Sequence, residues 1–150
     1  PKFIKAAASI PTIFALFRAR KFLDEKGAAD VSLVITGSLR ISTDAAKALA
    51  MGADAVALAT ASLMAIGCQQ FRVCNTGKCP RGIATQDPGL RARFDVGKGA
   101  EGLKNFLAVT TEELKAIARM TGNTDIHALG IGDLCTVNSE ISGYTDIEHV

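Results

Sequence analysis

Two short apolar runs, Val31–Thr36 and Ala55–Ala59, constrain this chain more than any other feature. Gly37-Ser38 closes the first run, and an alanine-rich helical stretch from Asp44 to Met51, stopped by Gly52, leads to the second. Strand, tight turn, helix and strand within about 30 residues make a parallel βαβ unit. Runs that stay apolar, instead of alternating with polar residues, predict strands covered on both faces. A sheet interior or a closed α/β barrel provides such cover.

Elsewhere the patterns are helical or irregular. Ser9-Ile10-Pro11-Thr12 reads as a helix start, with Ile13, Phe14, Leu16, Phe17 and Leu23 on one face and Gly27 as the stop. A short apolar helix after Thr60-Ala61-Ser62 leads into a cysteine segment, residues 67–86. Asp87–Gly102 carries five glycines or prolines and reads as a loop. Thr110 and Glu113 form a capping-box pattern ahead of Leu114, Ile117 and Ala118, with Gly122 ending that helix. The last thirty residues show one short helical pattern and no strand.

Charge and cysteine usage narrow the function classes. The 17 Lys and Arg are nearly matched by 15 Asp and Glu, unlike a basic nucleic-acid binder. The most apolar stretch, Met51 to Cys68, is broken by Gly52, Asp54 and Gly67, whereas a membrane span needs ~20 apolar residues. Pro1-Lys2-Phe3-Ile4-Lys5 lacks the charged-then-apolar leader of a secreted chain. Four cysteines are too sparse for a disulfide scaffold. The expectation is a soluble, cytoplasmic protein with no nucleic-acid or membrane partner.

Cys68, Cys74 and Cys79 are separated by five and four residues, with Gly77 between the last two and Pro80 after the third. Thiolates suit zinc, cuprous copper or iron–sulfur centres, and Cys-Pro closes bacterial ferredoxin runs. No Asp or Glu occurs from Ala55 to Gln86, while Arg72, Lys78 and Arg81 do, which favours thiolates and anionic clusters. Zinc would need a fourth ligand from Cys135, His127 or His149, and structural zinc pairs usually lie two to four residues apart. Cys135 reads as core, and Phe71 and Val73 as apolar shielding. Thr36-Gly37-Ser38-Leu39-Arg40 and Ala59-Thr60-Ala61-Ser62 both follow strands and precede helices, where backbone N–H groups make anion sites.

With these motifs in view, residues 30–86 resemble the end of the FMN-binding barrel of glutamate synthase. The shared residues are Ile35-Thr36-Gly37-Ser38-Leu39-Arg40, Lys47-Ala48-Leu49-Ala50-Met51-Gly52-Ala53-Asp54, the three cysteines, and Gly82-Ile83-Ala84-Thr85-Gln86. Residues 133–150 look most like the compact archaeal-type forms. The resemblance implies an α/β fold: the C-terminal βα units of a (β/α)8 TIM barrel, with a Cys-rich cluster loop and a helical tail. Residues 1–66 would be the last βα units, 67–86 the iron–sulfur segment and 87–150 a loop and helical extension, together one incomplete domain. It also implies a [3Fe-4S] cluster on Cys68, Cys74 and Cys79, and FMN held at Gly37, Ser38, Arg40, Ala59, Thr60 and Ala61.

The implied reaction is reduction of 2-iminoglutarate, formed from 2-oxoglutarate and ammonia, with electrons from ferredoxin or an NAD(P)H-oxidising subunit. The remainder of the barrel and a glutaminase domain or subunit would be partners. Ser38 and Ala59 depart from glycines of the family pattern and add a Cβ near the phosphate. Two other readings use the same residues: an N-methylglutamate synthase subunit, and a non-catalytic zinc- or cluster-binding module.

Two strands do not make a self-sufficient sheet, and an eight-strand barrel needs ~250 residues. The expectation is therefore the carboxyl-terminal end of a larger α/β domain, inactive alone. Size exclusion and thermal melting of the 150 residues test this; a compact monomer with a cooperative melt would refute it.

Overall fold

A computed structural model describes residues 7–150. Residues 1–5, read above for a leader, lie outside the described residues. The chain divides into two compact units, one of Pro1–Ala57 with Glu113–Val150 and one of Leu58–Glu112.

The first unit contains the βαβ motif. Helix α1 (Thr12–Glu25) starts at Pro11, whose carbonyl accepts from the N–H groups of Phe14 and Ala15 at 3.0 and 3.1 Å. Strands β1 (Val34–Thr36) and β2 (Ala55–Ala57) flank α2 (Ser42–Ala50) and pair in parallel, with Ile35 opposite Val56. The strands are shorter than their apolar runs. Alanines at 45, 46, 48 and 50 are all buried on α2, where a methyl side chain lets neighbouring backbone approach closely. Leu16, Ala48, Met51, Ala53 and Ile147 form the core, with Phe17, Leu33, Ile35 and Val56 packed against it.

The Gly52-Ala53-Asp54 exit from α2 has a local physical reason. Asp54 Oδ2 accepts from the Leu33 N–H at 2.6 Å, tying the start of β2 to the residue before β1. Arg20, paired with Asp24 at 2.8 Å, lies 3.9 Å from the same carboxylate. Any Cβ at Gly52 would come within 2.6 Å of the Arg20 side chain.

Four expectations are corrected. Within the described residues the strands are not covered on both faces: Val34, Thr36, Ala55 and Ala57 are exposed, and only Ile35 and Val56 turn inward. The segment Asp87–Gly102 is not a loop but holds α4 (Pro88–Arg91) and the start of α5 (Val96–Met120). Thr110 and Glu113 do not cap a helix. Thr110 sits inside α5, its hydroxyl donating to the Phe106 carbonyl, while Glu113 accepts from buried Ser42 at 2.6 Å. The last thirty residues contain strands after all: β3 (Cys135–Thr136) and β4 (Glu148–His149), parallel around α6 (Ser139–Tyr144). Two-residue strands are too short to show a period of two.

In the second unit α3 (Thr60–Ala65) precedes the cysteine segment, and α4 and residues 96–112 of α5 follow it. Asp87 caps α4 by accepting from the Leu90 N–H at 2.9 Å. Asp95 accepts from the Lys98 N–H at 3.0 Å, and this bond holds its carboxyl below the usual aspartate range. The glycines that suggested a loop are packing positions instead. Cβ atoms added at Gly99 and Gly102 would strike the Phe94 ring and the Ala65 carbonyl oxygen.

Replacing Gly102 with Ala should therefore destabilise the unit by about 1–3 kcal/mol despite alanine's better helix propensity. Gly97→Ala, whose Cβ meets only Asp95 Oδ1 at 3.4 Å, should be tolerated. Urea midpoints of the two variants check the contrast.

Candidate functional site

The turn after β1 is built by two residues with positive φ, Gly37 at +126° and Ser38 at +60°. Thr12 Oγ1 donates to the Gly37 carbonyl at 2.9 Å, and a Cβ on Gly37 would lie 2.8 Å from that oxygen. Position 37 is thus closed to any side chain by both conformation and contact. At 38 the left-handed region costs a serine roughly 1–2 kcal/mol, the physical content of its departure from glycine. Thr12 was read from sequence only as a helix start; its hydroxyl contact with the turn is a tertiary fact.

Backbone donors are left over at this turn. The N–H groups of Ser38 and Leu39 donate to no acceptor among the described residues. The next two do: Arg40 and Ile41 N–H donate to Asp44 Oδ2 at 2.9 and 3.4 Å. Asp44 therefore serves as the anion for α2, and Ser38 and Leu39 keep their N–H groups free. A cleft of about 660 Å³ borders the turn, lined by Thr12, Gly37, Ser38, Lys47 and the apolar Leu16 and Met51. Arg40 is exposed.

Ala59 precedes α3, which has no side-chain cap. The N–H groups of Thr60, Ala61 and Ser62 likewise find no acceptor among the described residues. Free consecutive amides, two at the first turn and three at the second, fit an anionic oxygen cluster such as a phosphate.

In the cysteine segment the three thiols differ. Cys79 is buried, Cys68 half-buried and Cys74 exposed. The N–H of Ala84, with those of Ile83, Arg81 and Gly82, lowers the Cys79 pKa below its ordinary value by hydrogen bonding to the sulfur. Cys68 Sγ accepts from the Gln70 N–H at 3.4 Å. Cys74 opens a 3₁₀ turn, Cys74–Thr76, closed by Gly77 at φ +69°. Gln70 and Arg72 also take left-handed conformations, at +55° and +58°. Among the described residues no three His, Cys, Asp or Glu side chains are gathered as ligands of a single metal ion. The donor chemistry nevertheless suits a thiolate-bound centre, because sulfur charge meets backbone N–H dipoles and no carboxylate occurs from Ala55 to Gln86.

Two apolar expectations are corrected. Phe71 is 51% exposed, since the left-handed residues on either side turn it outward from the loop. Cys135 is exposed on β3 and not core. His127, weighed as a metal ligand, instead lies 3.3 Å from Asp125 and 3.2 Å from the Asp54 carbonyl. No described helix is long and apolar enough to cross a membrane.

Comparison with known proteins decides the family. A profile described as "Conserved region in glutamate synthase" matches residues 1–124. The chain belongs to the glutamate synthase family. It is 40% identical over 130 residues to the archaeal-type glutamate synthase (NADPH) of Thermotoga neapolitana, covering 86% of this chain and 26% of that protein. It is 37% identical over 155 residues to a glutamate synthase large subunit-like protein of Rhizobium meliloti, covering 92% and 35%. The archaeal glutamate synthase (NADPH) of Methanocaldococcus jannaschii is 37% identical over 130 residues, covering 86% and 26%. The chain thus spans about a quarter to a third of the length of these glutamate synthases. The matched span contains the glycine turn, the uncapped α3 and all three clustered cysteines.

Amide hydrogen exchange measures the division of donors at the turn. Arg40 and Ile41 should be protected relative to Ser38 and Leu39, and Asp44→Ala should remove that difference. Equal exchange across residues 38–41 in the unaltered protein would contradict this turn.

Proposed function

We propose that this chain is the part of a glutamate synthase that holds FMN phosphate and an iron–sulfur cluster, within a larger (β/α)8 barrel. The carrying observation is the cysteine segment, where Cys68, Cys74 and Cys79 lie in a stretch free of carboxylates and neighbouring backbone N–H groups, that of Ala84 foremost, hold the buried Cys79 thiol below its ordinary pKa. The exposed side chains of Val34, Ala55 and Ala57 suit strands that the remainder of the barrel would cover.

Cys68, Cys74 and Cys79 would hold a [3Fe-4S] cluster, which needs three protein ligands. Gly37, Ser38, Arg40, Ala59, Thr60 and Ala61 would hold FMN: the free amides answer the phosphate oxygens, and Arg40 supplies a cation. The chemistry these groups would supply is hydride from the flavin and single-electron relay from the cluster, for reduction of 2-iminoglutarate, formed from 2-oxoglutarate and ammonia, to L-glutamate. The chain's own part is to position these groups. Thr12 fixes the phosphate turn through the Gly37 carbonyl. Amides around Cys79 favour its thiolate, the form that binds iron. The electron donor would be ferredoxin or an NAD(P)H-oxidising subunit, ammonia would come from a glutaminase partner, and the reaction would run in the cytoplasm.

Cys74→Ser in the complete protein, purified anaerobically, should abolish the brown cluster absorbance and lower iron and sulfide while leaving bound FMN in place. A variant with unchanged iron, sulfide and absorbance would remove Cys74 from the ligand set.

A further inference from the structure

The cysteine segment is a loop whose two ends are joined by one side chain. Arg81 Nε–H donates to the Gly67 carbonyl at 3.1 Å across fourteen residues, in a partly buried position. Gly67 stands immediately before Cys68, and Arg81 two residues after Cys79. The bond therefore encloses all three cysteines.

Both ends of the bond are themselves fixed. Gly67 lies at the end of α3 with φ +102°, its N–H donating to the Met64 carbonyl at 2.9 Å. The Cys68 N–H donates to the Leu63 carbonyl at 2.9 Å, so the helix end sets where the first cysteine begins. A Cβ at Gly67 would sit 3.2 Å from Arg81 Nη2, so the guanidinium packs against a backbone without a side chain. At the far end, the N–H of Gly82, the residue after Arg81, donates to the Cys79 carbonyl at 3.1 Å, which holds the Arg81 backbone in a turn at the third cysteine. Arg72 and Lys78, the other cations of the segment, are exposed.

We propose that Arg81 is a positioning residue for the cysteine ligands: its guanidinium clamps Gly67 beside Cys68 while its backbone stays at Cys79. The clamp removes chain freedom that three thiolates would otherwise lose on gathering around a cluster. A charged donor on a half-buried carbonyl is a stronger hydrogen bond than a neutral one. The guanidinium also leaves a fixed positive charge next to Cys68, which favours the reduced, more negative state of any centre held there. This rests on Cys68, Cys74 and Cys79 being the ligands.

The test uses the complete protein, prepared anaerobically, with Arg81→Lys, Arg81→Gln and Cys79→Ser. Lysine keeps the charge but not the planar Nε–H, and glutamine loses the charge. Both Arg81 variants should lose iron to excess chelator about tenfold faster than the unaltered protein, with little change in thermal melting. Only Arg81→Gln should also move the cluster midpoint potential to a more negative value. Unchanged iron release in both variants, or release that merely tracks a lowered melting temperature, would overturn the clamp. Cys79→Ser separates the two failures. If it keeps a full cluster the ligand reading falls, and if it loses the cluster while both Arg81 variants behave normally, only the clamp falls.

Discussion

Parallel pairing of β1 with β2 across α2 is the constraint from which the first unit is built. Parallel strands cannot be joined by a tight hairpin, so the chain must cross over through a helix and return to the same edge. The register, Ile35 beside Val56, points those two side chains into one core with Leu16 and Met51. It also brings the carboxyl ends of both strands to the same side. Asp54 secures the arrangement at the opposite end of the strands by accepting from the N–H of Leu33. The recurring Gly-Ala-Asp exit is thus a statement about strand alignment and not about chemistry.

Backbone N–H groups are the common electrostatic resource. Free amides at Ser38 and Leu39, uncapped ones at the start of α3, and those around Cys79 all present partial positive charge without using side chains. Dipoles fixed by backbone geometry need no reorganisation when an anion or thiolate arrives. At Arg40 and Ile41 the amides instead have a carboxylate partner, Asp44 in the first turn of α2. Residues 38–39 and 55–86 carry no carboxylate of their own to compete with an anion.

Glycine is the residue whose meaning the sequence conceals most. At Gly37 and Gly77 it marks turns with positive φ, and the flanking pattern made those turns legible. At Gly99 and Gly102 it marks places where other groups come too close for a Cβ, inside a helix that therefore resembled a loop. Local pattern cannot separate the two cases, because a missing side chain serves both torsional freedom and close approach. The same ambiguity affected Glu113, whose capping-box spacing is incidental and whose partner, Ser42, is distant in sequence.

Sequence by itself determined the βαβ unit, the two strand-end turns, the three-cysteine segment and, through their motifs, the glutamate synthase family. These are local: each rests on apolar runs, turn residues or spacings within a few tens of residues. Tertiary structure alone decided which amides stay free, that Thr12 meets the glycine turn, that Arg81 closes the cysteine loop onto Gly67, and that β3 pairs with β4. Each of these joins residues far enough apart along the chain that no periodicity or propensity relates them; only folded backbone brings donor to acceptor.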